Sequence, residues 1–215
     1  MSHAVMMKNT VIGHSCQIFP SAVLGAIPQD LKFDGEDTSV EIGNNTTIRE
    51  FVTINRGTKD KWKTVVGSHC LLMAYCHIAH DCILGDHVII ANSVQLAGHV
   101  EIGDHAIIGG MAAAIQFSKI GAHTYIAGGT EVIKDVPPYI KAGRSPLSYV
   151  GVNSVGLQRR GFSTEKINSI LEIYRNIYMR GLNITQATKL IETELPDSEE
   201  KSEILRFIKE SKRGS

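Results

Sequence analysis

VGSHCLLMAYCHIAHDCILGDHVIIANSVQLAGHVEIGDHAIIG, residues 66–109, decides the fold. Within it Val66, Leu72, Ile78, Leu84, Ile90, Leu96, Ile102 and Ile108 recur at every sixth position. The same phase extends outward to Ile12, Ile18, Leu24, Ile42, Ile48 and Ile54 on one side and to Ile120, Ile126 and Val132 on the other. Ala114 dilutes the run but is still apolar. Glycine follows several of these residues directly, at Gly13, Gly25, Gly43, Gly67, Gly85, Gly103, Gly109 and Gly121, where a tight corner is expected to use its freedom in φ. Four residues after each aliphatic position stands a small or β-branched side chain, among them Thr46, Val88, Val94, Val100, Ala106, Ser118 and Thr124. An amphipathic helix repeats at about 3.6 residues and an ordinary strand at about 2, so neither gives this period. A parallel β-helix does: each hexapeptide is a short strand and a corner, three close a coil of about 18 residues, and coils stack at about 4.8 Å.

Two interruptions keep the phase, AIPQDLKFDGED between Leu24 and Ile42 and NRGTKDKWKT between Ile54 and Val66. They are expected to be loops projecting from a rigid scaffold, the usual place for binding groups. After Asp135-Val136-Pro137-Pro138 the period ends, and the double proline is a natural stop for the last coil. From Gly161 the pattern is helical. Ser163 or Thr164 can cap a helix containing Ile167, Ile170, Leu171, Tyr174 and Ile177 and ended by Gly181, and shorter helices are expected over 185–193 and 198–212. The fold class is therefore an all-β left-handed parallel β-helix of hexapeptide repeats with a C-terminal α-helical subdomain. The helix is assigned to 1–140, with loops at 25–41 and 55–65, and the subdomain to 141–215.

The 215 residues are 43% hydrophobic, enough for a sizeable core. Lys+Arg and Asp+Glu balance at 22 each, so bulk charge gives no reason to expect nucleic acid or an anionic membrane as partner. No stretch approaches the roughly 18 apolar residues of a spanning helix or a signal-peptide core, so a cytoplasmic location is expected. The four cysteines, Cys16, Cys70, Cys76 and Cys82, should then be reduced, and all stand in the small inward register, which favours core packing over a metal site. His69, His87, His105 and His123 stand 18 residues apart and should form a ladder along one outer corner, read as a solvated edge in preference to a metal site. His77, His80 and His99 fall outside the core registers and are expected on the prism surface. Histidine there suits a general base working near neutral pH, and a glycine N–H suits an oxyanion. If His80 and Asp81 are to meet, the pair must sit at a corner, because neighbours on a strand point to opposite faces.

QDLK (29–32), HIAHDC (77–82), LAGHVEIGDHAIIGGMAAAIQF (96–117), DVPPY (135–139) and GVNSVGLQRRGFS (151–163) resemble the UDP-N-acetylglucosamine O-acyltransferases of lipid A biosynthesis, over almost the whole chain. The resemblance implies transfer of a 3-hydroxyacyl group from acyl carrier protein to the 3-hydroxyl of UDP-GlcNAc, the first step of that pathway. It implies no cofactor beyond the carrier protein's phosphopantetheine, no metal, and a homotrimer with sites between subunits. His80 would be the general base, Asp81 its orienting carboxylate and Gly98 the oxyanion donor. Gln29, Asp30, Lys32, His77, His99 and Gln116 would hold the sugar nucleotide, and Asn153, Arg159 and Arg160 the nucleotide or the phosphopantetheine arm. Tyr125 and Gly128 stand where the family measures its acyl chain. Asn55 and Ile115 replace frequent histidines, and Val155 replaces an acidic residue, so contacts there should differ. Family members usually begin about two coils earlier; retained fold with reduced stability is expected. Two alternatives are a carbonic anhydrase of the γ-class kind, with zinc on histidines of adjacent coils, and a non-catalytic trimeric scaffold that binds sugar nucleotide.

Overall fold

The computed structural model describes residues 1–211 and 214. Its short strands build three sheets. Sheet 1 comprises Val5–Met6, Val23–Ala26, Thr53–Asn55, His77–Ile78, Gln95–Leu96, Ala113–Ala114 and Glu131–Val132. Sheet 2 comprises Thr10–Ile12, Ser39–Ile42, Lys63–Val66, Ile83–Leu84, Glu101–Ile102 and Lys119–Ile120. Sheet 3 comprises Gln17–Ile18, Thr47–Ile48, Leu71–Leu72, Ile89–Ile90, Ile107–Ile108, Tyr125–Ile126, Ile140–Gly143 and Ser148–Val152. The chain visits the sheets in rotation, so from Val5–Met6 through Ala113–Ala114 each strand pairs in parallel with the one three strands later, and a coil is three hexapeptides. The register is that of the sequence period: Leu72 pairs with Ile90, Ile90 with Ile108 and Ile108 with Ile126. This is the left-handed parallel β-helix expected from the repeat.

The aliphatic register fills the prism: Leu24, Ile48, Ile54, Leu72, Ile78, Ile90 and Ile126 are wholly buried, and Ile12 and Ile18 partly so. Cys70, Cys76 and Cys82 lie among them, with burial pushing the Cys70 and Cys76 thiols up to about 11 and Cys82 up to about 12. They are small buried hydrophobes, as their register suggested.

The glycines act differently from expectation. Of the eight that follow an aliphatic residue, only Gly25 has a left-handed φ, +81°. The left-handed corner falls two residues later and is occupied by side-chain-bearing residues, including His69, Tyr75, Asp81, His87, Ser93, His99 and His105, with φ of 58–66°. Asp, Asn and His tolerate that region better than most. What the glycines supply is clearance: a Cβ on Gly43 would stand 2.6 Å from the Gly67 carbonyl carbon, and one on Gly103 2.5 Å from the Ala122 nitrogen. On the edge between sheets 2 and 3, side chains then take up corner N–H groups of the neighbouring coil. Asp86 Oδ1 accepts from Ser68 N at 2.6 Å, and Asp104 Oδ1 from Asp86 N at 2.8 Å.

The double proline does not end the prism. Val136 bridges Ile120, Ile140–Gly143 continues sheet 3 beside Tyr125–Ile126, and Ser148–Val152 folds back antiparallel on it. The boundary expected at 140 thus lies at the start of a strand. Then come α1 (Ser154–Arg159), α2 (Thr164–Tyr178), α3 (Ile184–Glu194) and α4 (Glu199–Glu210). Ser163 caps α2 by accepting from Lys166 N, and α3 begins with a capping box between Asn183 and Gln186. The short α1 was not foreseen, and Lys212, expected in the last helix, lies outside the described residues. Buried Tyr174 ties α2 to the prism by donating to the Pro138 carbonyl at 2.6 Å.

Candidate active site

Both interruptions leave the prism at one edge, between sheets 1 and 2. The loop over 27–38 follows Val23–Ala26, and that over 56–62 follows Thr53–Asn55. Stacking places the corner 79–82 next on this edge, then 97–100, then 115–118. His80, Asp81, Gly98, His99 and Gln116 therefore share one column with the two loops, although 36 residues separate the first from the last.

Asp81 has φ 60°, which makes it the corner residue itself. The turn bends its carboxylate back beside its neighbour, and His80 Nδ1 lies 2.9 Å from Asp81 Oδ2. The carboxylate is fully buried and takes three further donors from the second loop: Thr58 Oγ1 at 2.6 Å, Thr58 N at 3.0 and 3.1 Å, and Lys61 N at 3.2 Å. Burial acts to raise its pKa, but the bonds from Thr58, His80 and Lys61 together outweigh it and hold the carboxyl below the ordinary range. With Asp81 ionised, Nδ1 of His80 donates and Nε2 keeps its lone pair.

His80 is 5% exposed, so the position expected on the prism surface is a covered one. The second loop and the next coil cover it. A Cβ on Gly98 would stand 2.5 Å from His80 Cε1 and 2.6 Å from Nε2, so the imidazole occupies the space a side chain at 98 would need. No acceptor among the described residues takes the Gly98 N–H. His99 meets the His80 ring edge-on at 5.0 Å and stacks on Phe117 at 4.3 Å. Its Nδ1 lies 3.1 Å from Asp60 Oδ2 but out of line for a hydrogen bond. His77 Nδ1 is 2.7 Å from Thr53 Oγ1. Burial lowers the pKa of both His77 and His99, and for His77 the neighbouring His80 acts in the same direction. A cleft of about 500 Å³ opens beside this cluster, lined by Asp60, Lys61, His99, Glu101, Phe117, Lys119 and Asp135.

The remaining sequence-derived residues spread over the molecule. Gln29 and Lys32 are exposed on the first loop, where Asp30 Oδ1 accepts from Lys32 N at 3.0 Å, and Gln116 is exposed one coil beyond Gly98. Asn153 and Arg160 sit on another edge, between sheets 2 and 3: Asn153 Nδ2 donates to His123 O and Arg160 Nη2 to His105 O, both at 2.9 Å. Arg159 is exposed beside them. Tyr125 lies on sheet 3, and Gly128 at the following corner. Within one chain, these five are not brought to His80. Sequence reasoning missed Thr58 and Lys61, and it singled out Asn55 only as a departure from the family. Asn55 is buried and joins the loops by donating to Ile27 O at 3.1 Å.

His69, His87, His105 and His123 do form the ladder, with ring centroids 4.8, 4.5 and 4.8 Å apart. Their rings stack face to face, within 16° of parallel, so their nitrogens do not converge on a common point. Among the described residues one group could offer three ligand atoms to a metal, His80, Asp81 and His99, within 4.8 Å of one another. The Asp81 oxygens in it are already engaged by Thr58, Lys61 and His80.

Residues 135–215 match the family model for domain 2 of UDP N-acetylglucosamine O-acyltransferase, and residues 63–98 match the bacterial transferase hexapeptide repeat. The acyl-[acyl-carrier-protein]--UDP-N-acetylglucosamine O-acyltransferase of Aquifex aeolicus is 61% identical over 198 residues, which is 92% of this chain and 76% of the relative. The chain belongs to this family. The Thermodesulfovibrio yellowstonii member is 46% identical across all of this chain and 83% of its own. The crystal structure of the UDP-N-acetylglucosamine acyltransferase of Bacteroides fragilis superposes with a TM-score of 0.98 at 48% identity, covering all of this chain and 84% of the other. That of Campylobacter jejuni gives 0.88 at 35%, covering 99% and 89%. None of these relatives is a carbonic anhydrase. No helix among the described residues is long and apolar enough to cross a membrane.

Proposed function

We propose that the chain transfers a 3-hydroxyacyl group from acyl carrier protein to the 3-hydroxyl of UDP-GlcNAc, the first step of lipid A biosynthesis, with His80 as general base. The observation that carries the assignment of the base is the 2.9 Å contact of His80 Nδ1 with the buried Asp81 carboxylate, which leaves Nε2 free on the side facing Gly98. Nε2 takes the proton of the sugar 3-hydroxyl as its oxygen attacks the thioester carbon. The Gly98 N–H donates to the oxyanion that forms. Collapse breaks the carbon–sulfur bond, and the His80 imidazolium returns the proton to the departing phosphopantetheine thiolate. Asp81 stabilises that imidazolium and fixes its tautomer, as the carboxylate does in a Ser-His-Asp triad.

Gln29, Asp30, Lys32, His77, His99 and Gln116 are assigned to the sugar nucleotide by resemblance to the family; all but His77, which lies on the sheet 1 strand just before the corner, share the His80 edge or its loops. Asn153, Arg159, Arg160, Tyr125 and Gly128 lie away from that edge within a chain. A homotrimer with its sites between subunits lets the partner's copies complete the site, with arginine suited to phosphate. Exposed, stacked Phe51 and Tyr75, 5.0 Å apart, and exposed Met111 give the edge between sheets 3 and 1 the apolar character such an interface needs. The location proposed is cytoplasmic.

The test is release of free carrier-protein thiol from 3-hydroxyacyl carrier proteins of several lengths, with and without UDP-GlcNAc. Release that depends on the sugar nucleotide is expected, and His80→Ala should abolish it with the circular dichroism unchanged. Turnover surviving in His80→Ala would remove His80 from the mechanism. Binding of UDP-GlcNAc with no release would favour the non-catalytic scaffold.

A further inference from the structure

We infer that the second loop, over 56–62, is a clamp on the base pair and that Thr58 is its positioning residue. This rests on the assignment of His80 as base. The loop adds length without adding a strand, yet the side chain it grips most fully belongs to another coil. Thr58 donates both its N–H and its Oγ1–H to the Asp81 carboxylate, the hydroxyl at 2.6 Å, and Lys61 N adds a third donor. The same hydroxyl accepts from Asp60 N at 3.3 Å, so it is engaged in both directions. Asp81 N donates to Thr64 Oγ1 at 2.8 Å, at the point where the loop re-enters the prism. The corner is thus held from the carboxylate side and the backbone side.

The loop itself is anchored. Lys61 Nζ pairs with Glu101 at 2.7 Å, Trp62 N donates to Thr58 O at 2.8 Å, and Trp62 O and Gly57 N bond Ser39 at 3.1 and 3.2 Å. A left-handed corner residue has no strand ladder to hold its side chain. Without the clamp, the Asp81 carboxylate could leave His80 for water at the open cleft. With it, one oxygen, Oδ2, receives Thr58 Oγ1 and His80 Nδ1 together, which sets the plane of the imidazole. A ring displaced by about 1 Å from its reacting position can lose on the order of 100-fold in rate.

Thr58→Val removes the hydroxyl at nearly constant shape, and Thr58→Ala removes it with no added bulk should the valine variant fold poorly. Either should lower kcat about 10- to 100-fold with KM for UDP-GlcNAc within about twofold, and Thr58→Ser should restore kcat. Because Thr58 acts through Asp81, the loss should shrink to about twofold or less when Thr58→Val is added to Asp81→Asn. Wild-type kcat in Thr58→Val and Thr58→Ala overturns the clamp. So does an undiminished loss in the Asp81→Asn background, or a rise in KM at constant kcat. An inactive His80→Ala beside a normal Thr58→Val rejects the clamp alone, whereas an active His80→Ala rejects the base assignment beneath it.

Discussion

Gly98→Ala adds one methyl group at the point where the His80 imidazole rests on the backbone. Gly98 does not adopt a left-handed φ, so alanine fits the chain without backbone strain, and the backbone N–H remains. The new Cβ would stand 2.5 Å from Cε1 and 2.6 Å from Nε2 of His80, against about 3.5–4.0 Å for unstrained carbon contacts. The ring must therefore retreat by about 1 Å. It cannot do so and keep a 2.9 Å bond to a carboxylate that is itself fixed by Thr58 and Lys61. A misplacement of about 1 Å is worth on the order of 100-fold in rate, or about 2.7 kcal/mol in the barrier. In the thiol-release assay kcat should fall by about that factor, with Tm close to wild type and UDP-GlcNAc still bound. Because the N–H is retained, the loss reports the position of the base and not the oxyanion donor. A Gly98→Ala enzyme with wild-type kcat would refute the close approach of His80 to Gly98 as a requirement for turnover.

Two further outcomes concern stability. Ile90 is wholly buried at the centre of the prism, so Ile90→Ala should cost about 2–5 kcal/mol, read as a fall in Tm of about 2–4 °C per kcal/mol; a change below 0.5 kcal/mol would mean that the coil stack does not depend on its aliphatic column. His123, covered by Tyr139 and Phe162, has its pKa pushed down to about 4 by burial first and then by His105 and Arg160. Its unfolded form binds a proton near pH 6.5 and its folded form does not, so the stability this residue contributes is complete above about pH 6.5 and is lost as pH falls toward 4. Discounted for its partial exposure the effect is about 1–2 kcal/mol, and denaturant titrations of wild type and His123→Gln should converge with falling pH; a constant gap between them would contradict it.

The coil, the three sheets and the buried column were legible because the period of the sequence is the period of the structure. A residue every sixth position has no alternative but the same inward line, and the loops keep that phase. The column of His80, Gly98 and Gln116 could likewise be read at 18-residue spacing, as could the histidine ladder. Motifs shared with the family supplied the candidate site residues, though not what holds them.

Other features depended on distances that no spacing encodes. The corner glycines look like φ devices in a sequence, but their need arises from the neighbouring coil's backbone, which stacking brings so close that an added Cβ would stand 2.5–2.6 Å from it. The burial of His80 and the grip of Thr58 on Asp81, 23 residues apart with no periodic relation, come from a loop whose fold its own composition does not announce. The strand Ile140–Gly143 overrode the double proline because Tyr125–Ile126 offers it an open ladder. Sequence by itself determined which residues face inward and which share an edge, since both follow from covalent periodicity. Tertiary structure alone decided which groups touch across coils, since hydrogen bonds and steric clearance act through space.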